Sequence, residues 1–233
     1  MTKSLLPCLA IPLLLGPAPG PPVPPADESF TRDFAVADGE LVPTGRNPWF
    51  ILEPGYALTF ADGGDELVIT VLDETRTVAG VTTRVVEERE SEDGELVEVS
   101  RNFFAISTRS NGIFYFGEDV DMYKDGKPAG HAGAWLAGEK GARFGLIMPG
   151  QALLGARYVQ EIAEGVAMDR AEIVSLDEKV TTPAGDLEGC LKTEETTPLE
   201  PGVKEYKFYA PGIGLVKDGG MELVSHVAAA AAK

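Results

Sequence analysis

The sequence predicts an all-β fold: an antiparallel barrel, half-barrel or sandwich with at most one or two short helices. Short runs rich in β-branched and aromatic residues recur along the chain, with turn signals at roughly ten-residue spacing. The 27 glycines and 17 prolines exceed the average share of these residues, which favours many turns and few long helices. Hydrophobic residues make up 44% of the 233 residues, which is enough to bury a sizeable core.

The formal net charge of −17 restricts the partners that this chain can bind. Nucleic-acid binding depends on Lys and Arg neutralising phosphates, so a nucleic acid is excluded as the expected partner. An anionic membrane surface is disfavoured for the same reason. A cationic partner or a divalent metal is compatible with the charge, and the simpler interpretation is solubility outside the cell.

Residues 1–25 are predicted to be a signal peptide. Lys3 supplies a positive n-region, "LLPCLAIPLLLG" an apolar run, and "GPAPG" the small residues that a signal peptidase cleaves after. We therefore expect export to the periplasm or the medium, cleavage between about residues 17 and 26, and no membrane anchor. Cys8 lies inside the apolar run without small residues before it, so we expect no lipid there. Cys190 then remains alone, which excludes an internal disulfide.

The rest of the chain is predicted to be a single domain with two flanking segments. Residues 26–46 are acidic, follow a proline-rich run and show no helix or strand period, which is typical of a flexible lead-in. The β domain is expected over residues 47–225. The alanine-rich end, residues 226–233, is expected to be a frayed tail.

The strands of the first half follow one another through tight turns. Tyr56, Leu58 and Phe60 alternate as in a strand, and "ELVITVLDE" follows the turn "ADGGD". "VTTRVVEERE" and "ELVEVSRNFFAIST" flank "SEDG", whose Asp-Gly pair is a hairpin signal. The charge run "EERESEDGELVE" around this turn is predicted to be a solvated edge that discourages strand addition. "IFYF" follows "SNG", and "EDVDMY" precedes the tight turn "KDGK".

Residues 156–178 allow two interpretations. Glu, Ala and Met favour a helix, and some of the apolar residues fall near one helical face. Gly165 and the alternation of Ala167, Asp169, Ala171 and Ile173 favour two strands with a bend at Gly165. We predict the two strands.

The last third contains the strongest turn signals. "KVTTPAGDLEGCLKTEET" reads as strand, turn and strand, and "EYKFYA" is a strand that "PGIG" ends. Pro211 cannot donate to a sheet, and Gly212 and Gly214 permit positive φ angles, so a sharp bend is predicted here. Alternation puts Lys207 on one face with Glu205 and Tyr209, while Tyr206 and Phe208 share the other face, which we expect to be packed.

This closing segment resembles that of a diffuse group of exported bacterial β-domain proteins. In that group a valine-rich strand, a "PAG" turn, a short strand and "YAPGxGLV" follow in order, as they do over residues 181–218, and "NPWFILEPGYALTF" resembles the way those domains begin. The resemblance implies an antiparallel, lipoprotein-carrier-like or lipocalin-like β fold. It implies no reaction.

Two groups of polar residues are candidates for a site. Glu205 and Lys207 share a face, as do Lys192, Glu194 and Thr196 in the strand before, and paired strands would line either a polar pocket inside a barrel or a solvated sheet face. The second group surrounds Glu161 and Asp169, which would act as general acid or base if buried. The solvated face is the more common arrangement for both groups. The candidate ligand-binding residues are Trp135, Tyr158, Glu161, Asp169, Glu194, Glu205, Lys207 and Tyr209.

No motif in the sequence indicates a catalytic nucleophile, a metal or a cofactor. The acidic stretch from Asp119 to Asp125 lacks the spacing of a calcium loop, because Tyr123 and Lys124 interrupt it. His131 and His226 have no metal-pair spacing, and no phosphate loop or nucleophile turn occurs. Cys190 reads as a small core residue.

Three classes of function remain. The first is a non-enzymatic carrier that holds a small or lipid-like ligand in the β cavity. The second is a hydrolase-like or isomerase-like enzyme with a carboxylate site at Glu161, Asp169 and Glu205. The third is a structural or protein-interaction module. A dry aromatic cavity would favour the carrier, converging carboxylates the enzyme, and a filled core with a flat apolar patch the interaction module.

Overall fold

The computed structural model describes residues 29–37 and 39–228 of the chain. Over this part the backbone forms eighteen β-strands and no helix. The first nine are β1 (Leu41–Val42), β2 (Gly45–Asn47), β3 (Phe50–Leu52), β4 (Ala57–Asp62), β5 (Asp65–Val78), β6 (Val81–Glu92), β7 (Glu95–Ser107), β8 (Ile113–Lys124) and β9 (Lys127–Gly130). The others are β10 (Trp135–Leu136), β11 (Arg143–Met148), β12 (Arg157–Val159), β13 (Glu161–Ile162), β14 (Arg170–Thr182), β15 (Gly185–Thr196), β16 (Glu205–Ala210), β17 (Gly214–Asp218) and β18 (Met221–Val227).

Sixteen of these strands form one antiparallel sheet, and thirteen of them follow one another around a nearly closed barrel. The sheet runs in the order β12, β14, β15, β16, β17, β18, β4, β5, β6, β7, β8, β11 and β13. Its two ends, β12 and β13, are separated in the chain by Gln160 alone, so one short segment almost completes the ring. Such closure removes the unpaired edges that make sheets aggregate. The predicted all-β antiparallel fold is confirmed.

The antiparallel hairpins place successive turns at opposite ends of the barrel. The turns at residues 93–94 and 219–220 and the loop 197–204 lie at one end, which we call the open end. The turns at residues 79–80, 108–112 and 211–213 lie at the other, the plugged end. This arrangement decides which residues of each strand lie near which mouth of the barrel.

The hairpin of β2 and β3 covers the plugged end. The side-chain amide of Asn47 donates to the backbone oxygen of Asn111 at 3.0 Å, in the turn between β7 and β8. The backbone N–H of Gly212 donates to the carbonyl of Pro48 at 2.7 Å, which joins the hairpin to the turn between β16 and β17. The barrel interior is therefore closed on this side by the chain itself.

Residues 26–46 were expected to be a flexible lead-in, but those that the structure describes are held against the barrel. Thr31 forms a parallel bridge with Tyr158, and the Phe34 ring meets Phe114 edge-on at 5.6 Å. Buried Glu40 accepts a hydrogen bond from the Ser107 hydroxyl. β1 and β2 also belong to this stretch, so the folded part begins well before residue 47. The physical reason is that a few apolar and hydrogen-bonding contacts suffice to hold a segment without periodicity against a finished barrel.

The predicted turns are confirmed. The Asp93-Gly94 hairpin joins β6 to β7, and the bend at Gly165, with a φ of 73°, separates β13 from β14. "APGIG" joins β16 to β17, and Gly212 and Gly214 have φ angles of 80° and 101°. The fold thus agrees with the strand interpretation of residues 156–178 and not with a helix there.

Three further predictions have different outcomes. Cys190 is buried in the hydrophobic core, as expected of a small core residue. β18 continues to Val227, so the expected tail over residues 226–233 starts with a strand end. The signal peptide, its cleavage site and Cys8 lie outside the described residues, and these predictions stay predictions.

The face of β16 expected to be packed is packed only in part, because Phe208 is partly buried against the core but Tyr206 is not. Tyr206 is 38% exposed, whereas Tyr209 is 6% exposed and Lys207 points with it into the barrel. Alternation was predicted correctly, but a local pattern does not say which of two mixed faces meets the interior.

Candidate functional site

The barrel encloses a cavity of about 250 Å³. One part of its wall is apolar and aromatic, and the groups come from β3 to β5, β7, β8 and the strands around the 211–213 turn. Among them are Trp49, Phe50, Tyr56, Leu58, Ile69, Phe104, Tyr115, Ile213 and Leu215. Most of these lie towards the plugged end, beneath the β2–β3 hairpin. The interior therefore has an apolar floor.

The cavity reaches the protein surface at the open end. Its wall there includes Val166 and Val203, which are 39% and 45% exposed, together with Glu200 in the 197–204 loop. The entrance thus carries an apolar lip between acidic groups.

Four glutamates on adjacent strands project into the cavity: Glu88, Glu90, Glu98 and Glu118, here called the β6–β8 glutamates. Glu90 lies directly opposite Glu98, and Glu118 directly opposite Asn102. Like charges placed opposite each other on paired strands repel. This cost is unusual in an interior and marks the group as a candidate for function.

Burial and mutual repulsion raise the pKa values of these carboxyls. Burial, and then the charge of Glu98, raises the pKa of Glu90 to about 8. Burial, and then the charge of Glu118, raises the pKa of Glu98 to about 7. Burial, and then the charge of Glu88, raises the pKa of Glu118 to about 8, against a smaller opposing effect of its hydrogen bond with Tyr115. Near neutral pH these groups are close to the point at which they gain or lose a proton.

A second acidic group faces the first across the cavity and surrounds Lys207. The ammonium of Lys207 lies 3.3 Å from a Glu195 carboxylate oxygen and 3.2 Å from one of Asp218. Glu205 is directly opposite Glu195 on the paired strands, and burial raises its pKa while Lys207 lowers it. Glu195 also accepts from the amide of Gln160 at 3.1 Å. We call Lys207, Glu195, Glu205 and Asp218 the Lys207 cluster.

Glu161 and Asp169 form a buried carboxyl pair beside this cluster. A side-chain oxygen of Glu161, which is 3% exposed, accepts from the backbone N–H of Asp169 at 2.5 Å. Burial, and then the charge of Asp169, raises the pKa of Glu161 well above its usual range. Burial, and then the charge of Glu195, raises the pKa of Asp169 to about 6. Carboxyls whose pKa values are raised by burial and by a neighbouring charge are suited to general acid–base chemistry.

The structure brings together five of the eight residues that the sequence indicated. Glu161, Asp169, Glu205, Lys207 and Tyr209 all line the cavity, so for both groups the pocket interpretation replaces the solvated face.

Three of the indicated residues lie elsewhere. Glu194 faces outward, where it accepts from the Tyr206 hydroxyl at 2.9 Å. Trp135 is core and packs edge-on against Tyr115 at 5.2 Å. Tyr158 is buried behind the wall, 3% exposed, and is not part of the lining.

The prediction that Glu194 belongs to the site was wrong because the register of β15 and β16 differs from the expected one. The expected inward set was Lys192, Glu194 and Thr196, but the structure pairs Glu195 with Glu205 and Thr193 with Lys207. A shift of one residue moves every side chain to the other face. Glu195 therefore takes the place of Glu194 in the site. The sequence of the 197–204 loop between β15 and β16 does not indicate which residues of the two strands pair.

Sequence reasoning missed the β6–β8 glutamates altogether. "EERESEDGELVE" was interpreted as a solvated, charged hairpin edge, but Glu90 and Glu98 on either side of its turn point inward. The signal that was present is the alternation of Val86, Glu88 and Glu90 on one face. A strand whose inward face turns from apolar to acidic indicates a polar cavity.

The structure shows no metal centre in the part of the chain that it describes: no three His, Cys, Asp or Glu side chains there are arranged to hold an ion. Asp119 forms an ion pair with Arg76 instead. Asp121 lies 3.6 Å from Arg101 and 3.1 Å from the His131 ring. The acidic stretch thus pairs with cationic side chains on the outside of the barrel.

Comparison of the chain with protein-family models, with curated proteins and with solved structures finds no match. Among the described residues there is no helix of the length and apolarity needed to cross a membrane.

Proposed function

We propose that the protein is an exported, non-enzymatic carrier that holds a small or lipid-like ligand inside its barrel. The observation that supports this most is the cavity of about 250 Å³ with an apolar floor, a polar wall and an entrance at the open end. Barrels of about eight strands are filled by their own side chains, whereas a barrel of thirteen strands is wide enough to enclose a ligand cavity. No nucleic-acid partner and no membrane anchor are part of the proposal.

The composition of the wall agrees with that of ligand sites. Such sites are mostly apolar and aromatic with a few polar groups that fix orientation, and they hold about 300–1,000 Å³. The cavity here, at about 250 Å³, lies just below that range, which favours a ligand with a short chain or a single ring system. A hollow core also argues against the interaction module, for which a filled core was expected.

A neutral fluorescent probe, N-phenyl-1-naphthylamine, tests the proposal. We expect its fluorescence to rise on binding and the titration to saturate at one probe per chain. Ile69→Trp should weaken binding on the order of tenfold or more, because the larger side chain takes up space inside the cavity. Leu176→Trp, a similar change at a 38% exposed position, is the matched control and should leave binding unchanged.

Two results would contradict the carrier. Absence of saturable binding by the folded protein would show that the cavity does not admit an apolar ligand. Equal probe binding by the wild type and Ile69→Trp would place the probe on the outer surface, for example at the exposed Leu153 and Leu154.

A second candidate is an enzyme, favoured by the buried pair of Glu161 and Asp169. A panel of p-nitrophenyl esters and glycosides tests the hydrolase form of this hypothesis. Turnover that is lost in Glu161→Gln and kept in Glu172→Gln would support it, since Glu172 pairs with Arg157 on the outside of the barrel. Saturable probe binding without turnover of any member of the panel would leave the carrier in place.

A further inference from the structure

The charge inside the barrel is strongly unbalanced. Among the described residues that line the cavity are ten carboxylates and one cation, Lys207. Lys207 is already paired with Glu195 and Asp218. Over the same described ranges, Glu90, Glu98 and Glu118 form no ion pair with a Lys, Arg or His. Buried carboxylates without a cation are costly, so this wall is suited to a positively charged occupant.

An independent observation concerns hydrogen bonding. Gln160 is 2% exposed and lines the cavity, and its side-chain oxygen has no hydrogen-bond partner in the described part of the chain. Its side-chain nitrogen donates to Glu195, so the atom left over is an acceptor. One oxygen of Asp169 is likewise buried without a partner among the described residues. Buried acceptors of this kind require a donor.

The β6–β8 glutamates and the buried pair of Glu161 and Asp169 are close enough to affect each other's pKa values. The charge of Glu118 raises the pKa of Glu161, and the charge of Asp169 raises that of Glu118. Acceptors from both sides therefore converge near the open end, while the aromatic and aliphatic floor lies beneath them. A ligand that satisfies both parts has a cationic head with N–H donors and an apolar body.

We infer that the ligand of this cavity is an amphipathic organic cation, a primary ammonium or guanidinium group on a short alkyl or aryl body. The head lies between the β6–β8 glutamates and Gln160, and the body lies on the apolar floor. The inference rests on the proposed carrier function and names its ligand class. An anionic lipid is excluded as ligand by the same charges, and no described group of side chains is arranged for a metal ion instead.

Proton release accompanies binding of such a cation. A positive charge favours ionised carboxyls, so it lowers the raised pKa values of Glu90, Glu98 and Glu118 and displaces their protons. The other titratable groups that line the cavity with them are Glu88, Glu161, Asp169, Glu195, Glu200, Glu205, Asp218, Tyr56, Tyr115 and Tyr209, with Lys207 as the opposing charge. Affinity for the cation therefore falls as the pH is lowered from about 8 to below 7.

Four octyl compounds that share one chain separate the contributions of head and body. Titrations followed by heteronuclear NMR, with octylammonium, octyltrimethylammonium, octan-1-ol and octanoate, report both the affinity and the residues shifted. We expect octylammonium to bind most tightly, octyltrimethylammonium less well because it has no N–H donor, octanol weakly and octanoate least. Between pH 8 and pH 5.5 octylammonium should lose on the order of tenfold in affinity, and octanol should change little.

Matched variants assign the head group to the acidic wall. Glu98→Gln should weaken octylammonium binding several-fold and leave octanol binding unchanged. Glu95→Gln, the same change on the same strand at an exposed position, should leave both unchanged. Because Glu98→Gln removes a repulsive charge, the variant is expected to fold.

The outcomes distinguish the two proposals. If octanol and octylammonium bind in the cavity with equal affinity, the carrier function stands and the cationic ligand class is wrong. If octanoate binds best, the ligand class is also wrong. If no octyl compound shifts the resonances of cavity residues at millimolar concentration, the carrier function itself fails. Octylammonium binding that Glu98→Gln does not alter would place the head elsewhere and overturn the inference.

Discussion

Among single residues, Lys207 stands out because folding places its charged side chain inside the barrel, next to two carboxylates. It lies in a strand between two aromatic residues, and nothing in "EYKFYA" itself sets it apart. In the folded barrel it is the cation for two carboxylates in an interior with a large excess of negative charge. Removal of the Lys207 side chain would leave the negative charges of Glu195 and Asp218 without this cation.

We therefore expect Lys207→Ala to be among the most damaging changes in β16. Breaking a buried ion pair by removing one partner costs about 3–5 kcal/mol, and the 23% exposed Lys207 side chain places the expected loss at the lower end. Tyr206→Ala should cost about 1 kcal/mol, because the side chain is exposed and loses one hydrogen bond to Glu194. Urea denaturation at pH 8 compares the two free energies of unfolding.

A surface lysine supplies the control for Lys207. Lys179 pairs with Glu188, and both side chains are more than 70% exposed, so Lys179→Ala should change stability by less than about 1 kcal/mol. A Lys207→Ala variant no less stable than Lys179→Ala would mean that the interior charges are solvated and that the cavity is open to water along its length.

At the scale of elements, two hairpins show how turn chemistry serves the site. The turn at residues 211–213 lets β16 and β17 pair antiparallel, and it also donates the hydrogen bond that holds the β2–β3 plug. A side-chain atom added at Gly214 would lie 3.3 Å from the Trp49 carbonyl, whereas one added at Gly212 would meet open space. Gly212 and Gly214 both have a positive φ angle, but only Gly214 lies close to the β2–β3 hairpin.

This difference gives a prediction for Gly212→Val and Gly214→Val. Both introduce a β-branched residue at a positive φ, with strain of about 1–3 kcal/mol. Gly214→Val should cost more, because it also pushes against the backbone of the plug. Chemical denaturation of the two variants measures the difference in their free energies of unfolding. A larger loss of stability in Gly212→Val would contradict the prediction, because it would show that the β2–β3 hairpin moves away from a side chain at position 214 at little cost.

At the scale of the whole molecule, the sum of the raised pKa values makes stability depend on pH. The carboxyls of Glu90, Glu98 and Glu118 have pKa values of about 7–8 when folded and near 4.5 when unfolded. Between those values the folded protein binds more protons than the unfolded chain. Stability therefore falls as pH rises through this window, which is opposite to the usual behaviour of paired carboxylates.

We expect the melting temperature to fall steadily when the pH is raised from about 5 to about 8. Glu98→Gln should flatten this dependence and raise stability at pH 8, because the charged form is no longer forced into the interior. Glu95→Gln should follow the wild type. Thermal melts at five pH values, monitored by circular dichroism, measure the slope, and stability that rises over this range would show that the β6–β8 glutamates stay ionised in the folded barrel.

The fold class and the main turns follow from the amino-acid sequence, because they depend on local chemistry. Strand alternation, the Asp93-Gly94 hairpin, the Gly165 bend and the glycines after Pro211 each act through a few adjacent residues. It also indicated Glu161, Asp169, Glu205, Lys207 and Tyr209, since charged residues alternate with apolar ones on those strands.

The tertiary structure alone decided which face of each strand points inward and which strands face one another. Register put Glu195 rather than Glu194 beside Glu205, and closure of the ring turned the charges around "SEDG" into the wall of a cavity. Both depend on pairings between residues far apart in the chain, and a strand with two mixed faces has no local preference between them. Burial, repulsion and raised pKa values then follow from the closed barrel, because a carboxyl acquires them only from neighbours that the fold brings close.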